Sequence, residues 1–351
     1  MKKSFSILTI AALLCILILA SCNIDATIGI YSEVSTSTPN KNVTLVNYIG
    51  QDSSDRYYYQ LDDGVYRTEY GALLKSTKDS RVIGSSLDGD NLYVMKENIA
   101  ENVANSTVEI YRYTDPTNLS TGTKVTFEAE PAEGERLTRL FTNGIVLSNM
   151  NVYRLSGTDL HKIDVGISNG KVIYGIESED YAFIRIYNND AEAAKYFVVD
   201  NSSDTLHVNI DADTKTYSGF QYFSADPEFV LFYRDNSSNK SYATKLNAGG
   251  ISESPVLLKS SLTKSTTYNA SFLNPADTNQ VIVKCNNYFD VIDFSEGTVT
   301  PVNKGYAADI CTADVSNFKV VEGTHKVVVG TVSSLLYLID MDDTSKTPVE
   351  I

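Results

Sequence analysis

"QVIVKCNNYFDVIDFSEGTVT", Gln280–Thr300, decides how the rest of the chain is read. An apolar run, "QVIVK", gives way to a polar break and then to "YFDVIDF". The turn residues Ser295-Glu296-Gly297 follow, and then a third run of β-branched residues. Short runs rich in Val, Ile, Tyr and Phe, bounded by Asn, Asp, Ser and Gly, are the pattern of antiparallel strands joined by tight turns.

Working outward, the same pairing of runs occurs seven times. "RYYYQL" precedes "GVYRT", "NLYVM" precedes "VEIYRY", and "GIVLS" precedes "NVYRL". "YAFIRI" with "KYFVVD", "EFVLFY" with "SYATKL", and "KVVVG" with "LLYLIDM" complete the set. The turn after the second run also repeats, as in "VVDNSSDTLHV" at Val198, "LIDMDDTSKTPV" at Leu338 and, more loosely, "VYRLSGTDLHKI" at Val152. Asp62-Asp63-Gly64 and Asp88-Gly89-Asp90 offer the residue types that tight hairpins need at positive φ.

Antiparallel units of about 40–50 residues cannot bury both faces alone, and stacking them around an axis lets each cover its neighbour. The expectation is an all-β chain with a single β-propeller of about seven four-stranded blades over residues 43–351. A pair of sandwiches or a solenoid are the competing readings. The ring is expected to close by strand pairing between "TIGIY" (Thr27–Tyr31) or "VTLVNYI" (Val43–Ile49) and the C-terminal "SLLYLID" or "TPVEI". Two short segments carry helical potential, "KENIAENVA" from Lys96 and "DAEAAK" from Asp190. The blades are loosely similar to quinoprotein-type and YVTN-type propellers, through "LYVMKEN" at Leu92 and the Ile292-Asp293…Gly297-Thr298 turn. The chain has no Trp, so the WD, YWTD and Asp-box signatures are absent.

The N-terminus has its own logic. Lys2 and Lys3 precede an apolar run from Ile7 to Ala20 that is interrupted only by Thr9. Spanning a bilayer takes roughly 20 apolar residues, so this run fits a signal-peptide core instead. It ends in Leu19-Ala20-Ser21-Cys22, which resembles the bacterial lipobox. The resemblance implies cleavage after residue 21, acylation of Cys22 and anchoring in membrane lipid. Residues 1–21 are then the signal peptide and residues 22–42, rich in Ser, Thr and Asn, a tether. Asn23 in place of the Asp that retains enterobacterial lipoproteins in the inner membrane favours the outer membrane. The expected location is the bacterial cell envelope, outer membrane rather than inner.

Cleavage would leave 330 residues with 27 basic against 44 acidic side chains, a net charge of −17. A surface of that sign repels phosphate backbones, so nucleic acid is excluded as a partner. Only Cys285 and Cys311 would remain after lipidation. In an exported chain they could form one disulfide, and two buried thiols are the alternative.

Searching for chemistry mostly excludes it. Gly166-Ile167-Ser168-Asn169-Gly170 matches G-x-S-x-G, but a strand follows where a nucleophile elbow needs a helix. His161, His207 and His325 have no metal-ligand spacing. "DADTKTYSG" from Asp211 begins like a calcium loop, but Lys215, Thr216 and Tyr222 stand where ligands and the turning Gly belong, so it reads as a plain loop. Asp340, Asp342 and Asp343 form an acidic turn without a motif. Nucleotide loops are missing. Tyr57-Tyr58-Tyr59, Tyr111 with Tyr113, and Tyr217 with Tyr222 read as packing between blades, with a ligand face as the alternative. No catalytic residue, metal or cofactor is assigned. The favoured function is a non-enzymatic binding or scaffold propeller presenting loops to a protein or glycan partner. The alternative is a polysaccharide hydrolase or lyase with a carboxylate and tyrosine site at the channel mouth.

The lipobox generates the first prediction. A fatty-acid analogue fed to cells labels the wild-type protein and not Cys22→Ser, and equal labelling of the two excludes acylation at that residue.

Overall fold

In the computed structural model, consecutive strands hydrogen-bond in chain order into separate antiparallel sheets, seven among the described residues. The structure describes residues 45–68, 70–101, 106–115, 119, 121–202, 205–208, 210, 214–224, 228–252, 254–258, 271–285, 288–301, 315–321, 324–331, 336–342 and 349–350. The sheets span residues 45–75, 80–124, 126–163, 170–208, 215–257, 271–301 and 315–350 and are numbered one to seven below. Each is a four-stranded meander. The third adds Thr126–Phe127 in parallel on its outer strand, and the fifth carries two short outer strands on Ser241–Asn247.

The first strands lie side by side around an axis. Leu45–Gln51 neighbours Ser80–Asp88, which neighbours Leu137–Leu140. Lys215–Ser224 neighbours both Gly170–Ser178 and Ser271–Leu273, and Ser271–Leu273 neighbours Val315–Val320. Val315–Val320 in turn packs beside Leu45–Gln51 and closes the circuit. This is a β-propeller. Its ends meet by packing of two innermost strands and not, among the described residues, by the expected shared sheet. Leu45–Gln51 pairs only with Tyr57–Leu61, and Leu336–Asp340 only with members of its own sheet. "TIGIY" and Cys22 lie outside the described residues.

Second strands explain why the runs in the sequence are so apolar. Phe229–Tyr233, Leu92–Met95, Ala182–Ile184, Val281–Val283 and Val327–Val329 are buried residue after residue. A strand covered on both faces has no solvent side, so alternation disappears and a continuous apolar run takes its place. Accordingly the buried clusters lie between sheets. One joins Phe183, Tyr196 and Val198 of the fourth sheet to Tyr217, Phe220, Phe229 and Leu231 of the fifth. Another joins Phe232 and Ala243 of the fifth to Val281, Val283 and Ile292 of the sixth.

Close approach at the axis needs small residues. A Cβ on Gly84 would stand 3.0 Å from Leu140 Cβ and 3.1 Å from its carbonyl oxygen. One on Gly175 would stand 2.9 Å from Leu147 Cδ1. The recurring Asp turns have a common cause too. Asp235 Oδ1 accepts from Ser237 N, Ser237 Oγ and Ser238 N, and Asp293 Oδ1 accepts from the equivalent groups of Ser295 and Glu296. These bonds, led by the serine hydroxyl, hold both carboxyls below the usual range.

Neither helical segment is helical among its described residues. Lys96–Asn98 completes the strand Asn91–Asn98, with Lys96 opposite Glu109 and Asn98 opposite Thr107, while residues 102–105 lie outside the described residues. Ala193–Lys195 opens the strand Ala193–Asp200. The expected loop "DADTKTYSG" is, from Lys215 on, the start of the innermost strand Lys215–Ser224 of the fifth sheet, and residues 211–213 lie outside the described residues. Cys285 ends the strand Gln280–Cys285, and Cys311 lies outside the described residues.

Phe183 tests this arrangement. It is fully buried, and stacks on Tyr196 and Phe220 with ring centroids 5.3 and 5.7 Å away. Phe183→Ala should lower unfolding stability by about 3–5 kcal/mol in a urea titration. A loss below about 1 kcal/mol would show that the fourth and fifth sheets do not share this core.

Candidate functional site

A cavity of about 1220 Å³ opens at one end of the axis. Its wall includes the ends of all seven first strands or the turns that follow them: Gln51, Leu87, Thr142, Glu179, Tyr222, Leu273 and Val320. The meander topology produces this convergence. Each first strand runs along the axis towards the same mouth and turns outward there into its second strand.

Hydrogen bonds between neighbouring sheets form the floor. Ser85 Oγ donates to Gln60 Oε1 (2.7 Å), linking the second sheet to the first. Ser86 Oγ donates to the Thr142 carbonyl (2.7 Å), linking it to the third. Thr142 donates from both N (2.7 Å) and Oγ1 (2.8 Å) to Glu177 Oε2 in the fourth. Tyr222 N donates to Ser178 Oγ (2.8 Å), and Ser271 Oγ to Gln221 Oε1 (3.3 Å), continuing to the fifth and sixth. Asn47 Nδ2 of the first sheet reaches Glu177 Oε1 at 3.4 Å, so this carboxylate ties the first, third and fourth sheets together near the axis. Further along the channel, Arg139 donates to the Gly175 carbonyl (3.1 Å) with its guanidinium 4.5 Å from the Phe141 centroid. Burial holds its pKa below the ordinary value, against an opposing pull from Glu177.

The rim combines acids, amides and tyrosines. Asp52, Asp88, Glu179 and Asp180 line it, and no Lys, Arg or His does among the described residues. Asn143 Nδ2 donates to the carbonyls of Glu179 (2.8 Å) and Tyr181 (3.0 Å), fixing that turn. Tyr181 and Tyr222 stack with centroids 5.3 Å apart and 13° between their planes, and buried Phe229 stands edge-on behind both. Asp52 is the buried acid. Its side chain is 1% exposed and accepts from Ser54 N, Arg56 N, Arg56 Nε and Tyr58 Oη. Burial pushes this carboxyl up, but those donors together hold it below the usual carboxylate range. A general acid needs the opposite shift.

Of the residues singled out by sequence, Tyr222 reaches the cavity wall, whereas Tyr58 and Tyr59 are packed in the interior. Ser168 lies in the connection between the third and fourth sheets, with no helix after it. His161 pairs with Glu128 and His325 with Asp342, each at 2.7 Å on exposed surface. The side chain of His207 and all of Asp343 lie outside the described residues. No group of three or more His, Cys, Asp or Glu capable of holding a metal occurs among the described residues. Glu177, Thr142 and Asn47 carry no sequence signal, because only ring closure brings them together.

No protein-family model matches the sequence, and no curated protein matches it. Solved structures do, at the level of fold. Oligopeptidase B from Trypanosoma brucei superposes with a TM-score of 0.50 at 10% identity, over 88% of this chain and 46% of that one. The Dos1 propeller gives 0.49 at 11% identity, over 89% and 84%. The extracellular domain of the putative one-component system BT4673 from B. thetaiotaomicron gives 0.49 at 11%, over 85% and 38%. The chain thus spans less than half the length of the first and last of these. At such identities a likeness bears on fold and on nothing else.

Asp52 provides a pH test. Its folded pKa is depressed, so its stabilising contribution is complete above the unfolded carboxylate range near pH ~4 and is lost as pH falls through the folded value. Asp52→Asn should cost about 1–3 kcal/mol at neutral pH, because buried donors lose their acceptor. The gap from wild type should narrow on acidification. A gap unchanged between neutral and strongly acidic pH would mean that the ionised carboxylate contributes nothing.

Proposed function

We propose that the protein is a lipid-anchored component of the bacterial cell envelope whose propeller binds a protein or glycan partner at the axial mouth, without catalysing a reaction on it. The observation that carries this reading is the cavity at which every first strand ends. Loops placed on a rigid scaffold are where recognition concentrates. Residues 1–21 are the signal peptide in this reading, Cys22 is the acylated residue, and residues 22–42 link it to the propeller of residues 43–351. Asn23 beside the lipobox favours the outer membrane over the inner.

Catalysis finds less support, since the buried carboxylate of the cavity is pulled down and its oxygens are engaged by donors.

A photocrosslinking residue at Asn201, on the cavity wall, should capture a partner from intact cells, and the same residue at Ala191, on the exposed turn after Asn188 at the far end of the strand Tyr181–Asn188, should not. Equal capture from both positions would overturn the assignment. So would a substrate screen finding turnover abolished by one Asp, Glu or Tyr substitution at the mouth of a folded protein.

A further inference from the structure

The charge and the ring geometry of the mouth bear on what kind of group enters it. The cavity is walled by four carboxylate residues and by no described cation, while the stacked Tyr181–Tyr222 pair stands in the same wall. One of the four, Asp52, is already engaged by Arg56. Asp88 and Asp180 are exposed at the rim, each at the turn that closes an innermost strand, in the second and fourth sheets. The aromatic pair is fixed before any ligand arrives. Phe229 is fully buried behind it, Tyr222 N is bonded to Ser178 Oγ, and the Tyr181 carbonyl is held by Asn143.

Resting on the binding reading above, we infer that the mouth receives an arginine or lysine side chain from a basic polypeptide segment. Its cation lies against the Tyr181–Tyr222 pair beside Asp180, while Asp88, across the mouth on the second sheet, adds to the field that draws it in. A planar guanidinium stacks on tyrosine and pairs with carboxylates at once, which a neutral ligand cannot do. A cavity lined by one sign of charge also concentrates the opposite sign at its entrance. An anionic polymer is disfavoured by the same field. A neutral oligosaccharide could use the aromatic pair but gains nothing from the exposed acids.

The test uses the full chain in detergent and hexa-arginine amide as the probe, with hexa-glutamate and maltohexaose as comparison ligands, read by calorimetry. Wild type should bind hexa-arginine, bind it more weakly as salt is raised, and ignore hexa-glutamate. The double variant Asp88→Asn with Asp180→Asn changes only exposed side chains and should weaken binding about five- to tenfold, the effect of two partly screened charges. Glu130→Gln with Glu133→Gln, equally exposed but outside the cavity wall, should bind like wild type. Equal weakening in both double variants would reduce the effect to net charge and overturn the inference. So would an unchanged affinity in the rim variant, or no binding of hexa-arginine. Binding of maltohexaose alone would overturn this inference and leave the binding function standing. Turnover of any ligand would remove the binding reading itself.

Discussion

Each sheet of this protein has two apolar faces, and only another sheet can cover them. Everything else follows from that constraint. Phe229, Leu231 and Tyr233 belong to the core shared with the fourth sheet, while Val230 and Phe232 on the same strand belong to the core shared with the sixth. A strand that alternates between two cores cannot tolerate a missing neighbour on either side. At about 25 cal/mol per Å² of apolar surface, an uncovered face would cost more than a domain's whole margin of stability. The sheets therefore have to form a circuit, and the contact between Val315–Val320 and Leu45–Gln51 completes it.

Closing a circuit of twisted sheets puts strain on the strands nearest the axis, and the backbone answers with bulges. The register of the innermost strand shifts in six of the sheets, between Leu45/Asn47, Val82/Gly84, Leu137/Arg139, Val172/Tyr174, Tyr217/Gly219 and Val315/Asn317, and a second time in the first and fifth, between Tyr48/Gly50 and Tyr222/Ser224. A bulge bends its strand and tightens the local twist. It also sets a side chain out of the alternating pattern. Val46 and Ile173 occupy two of these positions and are 49% and 45% exposed, although both stand on innermost strands. Their exposure is a product of bulging near the axis rather than of a place on the outer surface.

The bulges explain what the sequence revealed and what it hid. Second and third strands were legible because two-sided burial turns them into apolar runs. "EFVLFY" and "SYATKL" correspond directly to Glu228–Asp235 and Ser241–Asn247. First strands were less legible, since an extra residue breaks the period-two signal, although "VTLVNYI" and the run after Gly170 read as strands and form Leu45–Gln51 and Gly170–Ser178. "DADTKTYSG" read as a plain loop once it failed as a calcium site, whereas its part from Lys215 opens a strand of 10 residues bulged at Ser218 and Phe223. Lys96–Asn98 read as helical because Lys, Glu and Asn are weak strand formers, but pairing with Thr107–Glu109 overrides the local preference. The floor of the site was illegible for a different reason. Asn47 and Glu177 are 130 residues apart, and nothing local marks either of them.

The floor also separates recognition from folding. Glu177 is held by the backbone and hydroxyl of Thr142 and by Asn47, and Ser85, Ser86, Ser178 and Gln221 are likewise turned towards neighbouring sheets. Buried polar groups satisfied in this way fix the relative positions of the sheets, and losing one partner leaves a desolvated group behind. The exposed rim carboxylates stand in a different position. Asp88 and Asp180 lie on turns whose backbones are set by the strands on either side, Leu87↔Leu92 and Ser178↔Tyr181, so their side chains can change while the strand pairing holds. A fold whose rigidity sits one layer below its exposed rim can vary the charge of its mouth at little cost in stability. That layering lets a single scaffold hold a defined cavity shape while the chemistry at its entrance is set independently.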